Sequence, residues 1–134
     1  MAFVEWKEEY SVLVPEMDNE HKRLFALINE FHDAIKDGKP NEAVGQTIDG
    51  LLDYTITHFA HEEKLMRQRA YKGLEEQERF HRAFTDKVKD YQARFQAGKL
   101  VLSFEVGTFM RNWLTEHIKQ VDKRYSDVLA PAKP

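Results

Sequence analysis

The chain of 134 residues contains no cysteine. That excludes a disulfide framework, a thiolate zinc site and a cysteine-ligated iron–sulfur cluster. It also fits a reducing compartment. No apolar run is long enough to cross a bilayer. The start, MAFVEWKEEYSVLVPEMD, lacks the basic stretch followed by an apolar stretch that marks a secretory signal. The expected location is therefore cytoplasmic, with no membrane partner. An excess of one charge is missing too: the formal net charge is −3. Lys22-Arg23 and Lys119, Lys123 and Arg124 read as ordinary solvent-facing charges, so no nucleic-acid partner is expected. Strand-like alternation, internal repeats and low-complexity linkers are also absent. What is present is enough apolar material, 42% of residues, for one domain with a core over residues 1–134.

Residues 1–17 read as an N-terminal arm. Phe3, Trp6, Tyr10 and Leu13 anchor it, Pro15 marks a break, and Asp18 or Asn19 is placed to cap the helix that follows. Beyond the arm, apolar residues recur in steps of three and four, the period of a helix with one buried face. The pattern predicts helices over about residues 18–37, 42–68, 73–97 and 103–128, then a frayed tail over 129–134. Gly38 and Gly98 stop the first and third helices, and Ser103 caps the fourth. Four amphipathic helices joined by short loops predict an all-α, up-down-up-down antiparallel four-helix bundle.

Each predicted helix carries a histidine on its inward seam: His21, His58, His81 and His117. Glu62 follows His58 by four residues and shares its face. Asp122 follows His117 by five, roughly 140° around a regular helix, at the edge of the seam. A single inward histidine is usually a hydrogen-bonded core residue. Four of them with two acids would cost several kcal/mol if buried without partners, and a metal cluster supplies partners. Imidazole and carboxylate without thiolate suit iron or manganese, with zinc also compatible. Neighbouring groups are expected to play no part. Glu63 reads as solvated, Glu78 as a surface residue, His61 as a helix-flank histidine and His32 as a packing or surface histidine.

The motifs Met17-Asp18-Asn19-Glu20-His21, His58-Phe59-Ala60-His61-Glu62-Glu63, His81-Arg82-Ala83-Phe84 and Trp113-Leu114-Thr115-Glu116-His117-Ile118, with Trp6 before them and Asp122 after, span nearly the whole chain. Together they resemble the hemerythrin family, in particular its short bacterial members. The resemblance implies a non-heme di-iron site. His21 and His58 would hold the iron that binds O2, and His81 and His117 the other. Glu62 and Asp122 would bridge both, beside an oxo or hydroxo group. Phe59, Trp113, Leu114 and Ile118 would build a dry ligand pocket.

One position departs from the family pattern. The family's third helix carries HxxxH, and here Gln77 stands at its first position, four residues before His81. An amide oxygen is a weaker donor than imidazole, so Gln77 is an additional candidate ligand at an iron with an exchangeable position. Three functions follow from this reading. The leading one is O2 binding for carriage, storage, delivery or sensing, with azide, peroxide and NO as related small ligands. The second is a di-iron peroxidase or oxidase that uses the open position. The third is a structural or metal-storage bundle. No catalytic residue is assigned, and no motif points to a particular protein partner.

Overall fold

A computed structural model describes residues 2–130. Four long helices carry the chain: α1 (Pro15–Lys36), α2 (Asn41–Gln68), α3 (Leu74–Gln96) and α4 (Phe104–Gln120). A 3₁₀ turn, Asp122–Tyr125, and a last short helix α5, Ser126–Leu129, follow. Short links make sequential helices antiparallel, giving the expected up-down-up-down bundle with no strand among the described residues.

Each helix begins and ends for local reasons. Acidic residues occupy the first turns of all four, Glu16, Glu42, Glu75 and Glu105 among them, where they face the positive end of the helix dipole. Three helices end where one residue turns left-handed. Gly38 (φ 66°) follows α1 and Gly98 (φ 73°) follows α3. After α2 that turn falls on Ala70, at φ 53°. There the Tyr71 amide donates back to the Met66 carbonyl at 2.9 Å, closing a Schellman turn on a residue that has a Cβ.

The first helix starts three residues earlier than the sequence pattern places it. Pro15 is its first residue rather than a break, because a missing N–H costs nothing at that position. Asp18 does not cap it. Its carboxylate turns back to accept the Val12 amide at 2.8 Å and the Ser11 hydroxyl at 2.6 Å, which ties the arm to the helix. Nearer the N-terminus, Val4 and Asn29 exchange two hydrogen bonds of 2.9 Å between backbone and side-chain amide.

The fourth helix is shorter than expected. It does not run through 128 but ends at Gln120, and the backbone of Val121 after it departs to φ −117° and ψ −55°. The 3₁₀ turn that follows buries Asp122 and Tyr125 together. A regular helix would carry Asp122 away from His117, and the break brings it back. Leu129, expected in the frayed tail, is buried in the core. Residues 131–134 of that tail lie outside the described residues.

The core is layered along the bundle. Leu24, Ile28, Phe31, Ile48, Leu51 and Met110 fill one part, and Met17, Met66, Ile118 and Tyr125 are equally inaccessible. Between α3 and α4 the filling is aromatic, with Phe84 stacked on Trp113 at 4.3 Å and on Phe109 at 6.0 Å. Gly45 allows α2 and α3 to approach: a Cβ there would lie 2.9 Å from the Phe95 ring.

Candidate metal centre

The four seam histidines and both acids meet inside the bundle. His21, Glu62 and Asp122 are at most 1% exposed, as are His58 and Gln77, and His81 and His117 at most 5%. Helix phase delivers most of them: His21 comes from α1, His58 and Glu62 from α2, Gln77 and His81 from α3, and His117 from α4. Asp122 arrives from the 3₁₀ turn.

The two carboxylates divide their oxygens between two groups of histidines. Glu62 Oε2 lies 3.4 Å from His21 Nε2 and 3.6 Å from His58 Nε2, whereas Glu62 Oε1 lies 3.0 Å from His81 Nε2. Asp122 Oδ2 lies 3.3 Å from His21 Nε2, and Asp122 Oδ1 lies 3.1 Å from His117 Nε2. His21, His58 and Glu62 thus form one group of donors, and Glu62, His81, His117 and Asp122 form a second that shares Glu62. The Nε2 atoms of His21, His58 and His81 and the Oε1 atom of Glu62 are buried with no hydrogen-bond partner. Orphaned donors and acceptors of this kind are costly in a packed interior. A cation among them would remove the cost, and the donor set of imidazole and carboxylate fits iron.

A surrounding shell aims the rings. His58 Nδ1–H donates to Glu20 Oε1 at 2.7 Å, and His81 Nδ1–H donates to Glu63 Oε2 at 2.7 Å. Each bond fixes the tautomer that leaves Nε2 free on the inner side. Glu63, expected to be solvated, is therefore a partner of the site. Spacing alone hid this, because Glu63 reaches His81 across the helix interface rather than along its own seam. Glu20 was visible in the sequence only as one letter of a motif. Its second oxygen accepts from His61 Nδ1 at 2.6 Å, so the flanking histidine supports the shell. Tyr125 went unnoticed. Its hydroxyl donates to Glu62 Oε2 at 2.7 Å, and no periodicity could show this because Tyr125 lies beyond the break in α4.

Gln77 lies inside the cluster. Its amide nitrogen donates to Asp122 Oδ1 at 2.9 Å, and its carbonyl oxygen accepts from His117 Nε2 at 2.8 Å. Glu78 stays outside, where its carboxylate is 3.8 Å from Arg67. His32 is a packing residue, stacked on Phe3 at 4.1 Å.

Electrostatics within the cluster follow from burial set against proximity. Burial alone pushes the His21 imidazole down, but the carboxylates of Asp122 and Glu62 close beside it outweigh burial and raise it to about 9. Burial likewise opposes the charged form of His81, and Glu62 and Glu63 raise it to about 9. Burial pushes the Glu62 carboxyl up, yet the charge of His58 and the close approach of the His21 and His81 imidazoles hold it well below the usual range. Asp122, pushed up by burial and by Glu62, is held low by His117 and His21. Burial and then the charges of Glu62 and Asp122 push the Tyr125 phenol well above its ordinary value, so it remains a donor.

Aromatic rings cover the second group of donors. Phe59 stacks on His81 at 3.8 Å and 3°, and Trp113 stacks on His117 at 4.5 Å and 11°. Leu114 and Ile118 are buried beside His117 on α4.

Residues 12–129 match the model of the hemerythrin HHE cation binding domain. The chain belongs to the hemerythrin family. Its hemerythrin relatives include the bacteriohemerythrin of Pseudomonas aeruginosa, 36% identical over 96% of this chain and 83% of that protein. The bacteriohemerythrin of Methylococcus capsulatus is 32% identical over 97% of this chain and 99% of that protein. A crystal structure of wild-type hemerythrin superposes with a TM-score of 0.93 at 30% identity, covering 97% of this chain and 100% of that one. Among the described residues, no helix is long and apolar enough to cross a membrane.

Proposed function

We propose that this chain holds two iron ions and binds O2 at them. One observation carries the reading: Glu62 and Asp122 each split their two oxygens between separate groups of buried histidines. A single ion would need no such division, whereas two ions held in common by both carboxylates would use it. His21 and His58 would serve one ion and His81 and His117 the other, with Glu62 and Asp122 common to both. Bound ferrous iron supplies the electrons and the open coordination for reversible O2 binding, which side chains alone lack.

The chain's own residues do the rest. Glu20 and Glu63 hold His58 and His81 in the tautomer that presents Nε2 inward. Tyr125 holds Glu62 in place through its hydroxyl. Phe59, Trp113, Leu114 and Ile118 keep water and protons away, which favours release of the ligand unchanged over oxidation of the metal. Carriage, storage, delivery and sensing all use this chemistry, with azide, peroxide and NO as competing small ligands.

A second reading, a di-iron peroxidase or oxidase, is favoured by Gln77. A buried amide between His117 and Asp122 is a weaker donor than the imidazole of an HxxxH pair, so an exchangeable position would open there. Anaerobic reduction of the iron-loaded protein followed by O2 titration separates the two. A reversible optical band supports binding. Turnover of peroxide with a reducing substrate, without a reversible band, supports the enzyme.

A further inference from the structure

Leu13 stands in the arm just before α1 and costs the chain in two ways. Its backbone lies at φ 62°, in the left-handed region that a residue with a Cβ rarely adopts. Its side chain is 65% exposed. The neighbours enforce this conformation rather than relieve it. The Asp18 carboxylate accepts from the Val12 amide and the Ser11 hydroxyl, and the Ser11 oxygen accepts from the Leu13 amide at 3.2 Å. A glycine would fit the same turn without strain and without exposed apolar surface. Burial of the leucine against a partner would offset both costs.

The residues that follow shape a hollow of matching size. Val14, Pro15, Leu65 and Leu129 line a cavity of about 120 Å³ where the start of α1, the end of α2 and α5 meet. A buried leucine side chain leaves a space of about 150 Å³ when it is removed. Val128, next to Leu129 in α5, is 38% exposed and adds apolar surface at this end of the bundle. The cavity is also lined by Glu16 and Arg69, both exposed and of opposite charge. They do not pair with each other. Glu16 approaches His61 Nε2 at 3.5 Å, and Arg69 has no carboxylate partner among the described residues.

A knob, a hole and one charge of each sign on a single patch make it self-complementary, because a two-fold axis brings each feature onto its counterpart. We propose that two copies of this chain pair through this end of the bundle. Leu13 of each copy fills the cavity of the other, and Glu16 of each pairs with Arg69 of the other. An unrelated partner would have to supply all of these features, whereas a second copy supplies them by symmetry. The patch uses none of the proposed iron ligands, so the pairing stands or falls apart from the di-iron reading.

Sedimentation equilibrium of the iron-loaded and the metal-free chain, over roughly 1 μM–1 mM, tests the pairing. The expected result is a reversible monomer–dimer equilibrium in both. Leu13→Gly should leave the monomer at least as resistant to denaturant, because it relieves the backbone, yet weaken the dimer about tenfold or more, because two leucines lose their burial. A leucine with a purely local role would change the first reading and not the second. Glu16→Lys and Arg69→Glu should each weaken the dimer by setting like charges across the two-fold axis, and the two substitutions together should restore it. A monomer over the whole range, a dimer unchanged by Leu13→Gly, or a doubly substituted chain that associates no better than the single variants would overturn the proposal.

Discussion

Glu62 stands between the two groups of donors, since its two oxygens face different histidines. Glu62→Ala should cost the protein both irons, whereas a variant of His58 alone should weaken one. Elemental analysis of the two variants after identical iron loading checks this. Protons compete for the same atoms. In the metal-free chain His21 and His81 are raised to about 9, so both are charged at neutral pH. Metal ligands must be neutral, and so loading must expel a proton from each. Because the protonated form grows as pH falls through about 9, metal affinity should fall in the same direction. Calorimetry in buffers of different ionisation heat measures the release, and metal uptake without protons would contradict it. Gln77→His should complete an HxxxH pair with His81, hold the second ion more firmly and lengthen the life of the oxygenated protein. Equal decay rates and equal azide binding at matched iron content would make Gln77 a neutral replacement.

At the level of elements, the helical phase of α1, α2 and α3 was legible in the sequence, because a buried histidine or glutamate on an apolar seam needs no long-range information to be placed. His21, His58, Glu62, Gln77 and His81 all fall where a 3.6-residue period puts them. What the period could not show lies where helices end or cross. Asp122 and Tyr125 reach the centre only because α4 breaks at Val121, and Glu63 acts across an interface rather than along a seam. Pro15 opens α1 rather than marking a break, because the same missing N–H that breaks a helix interior suits a first turn. Two predictions belong to this scale. Ala70 holds a left-handed conformation that favours glycine, so Ala70→Gly should stabilise the fold by about 0.5–1 kcal/mol, read as a raised midpoint in denaturant. Leu114→Ala should leave a void beside His117 on α4, admit water and speed autoxidation. An unchanged autoxidation rate at full iron content would remove Leu114 from the pocket.

For the molecule as a whole, the bundle gathers polar groups from five segments into an interior that is otherwise apolar. Uncompensated, that burial opposes folding. The aromatic layer between α3 and α4 and the carboxylates on the outer ring nitrogens then hold the donors in register for a cation. Membership of the hemerythrin family agrees with iron as the occupant, and the division of the Glu62 and Asp122 oxygens is what motivates the proposed pair. The most direct measurement is the iron-to-chain ratio of protein produced with ample iron, taken by elemental analysis against an amino-acid quantified concentration. The account predicts two irons per chain for the native sequence. A reproducible ratio of one, or iron lost on simple desalting, would contradict it.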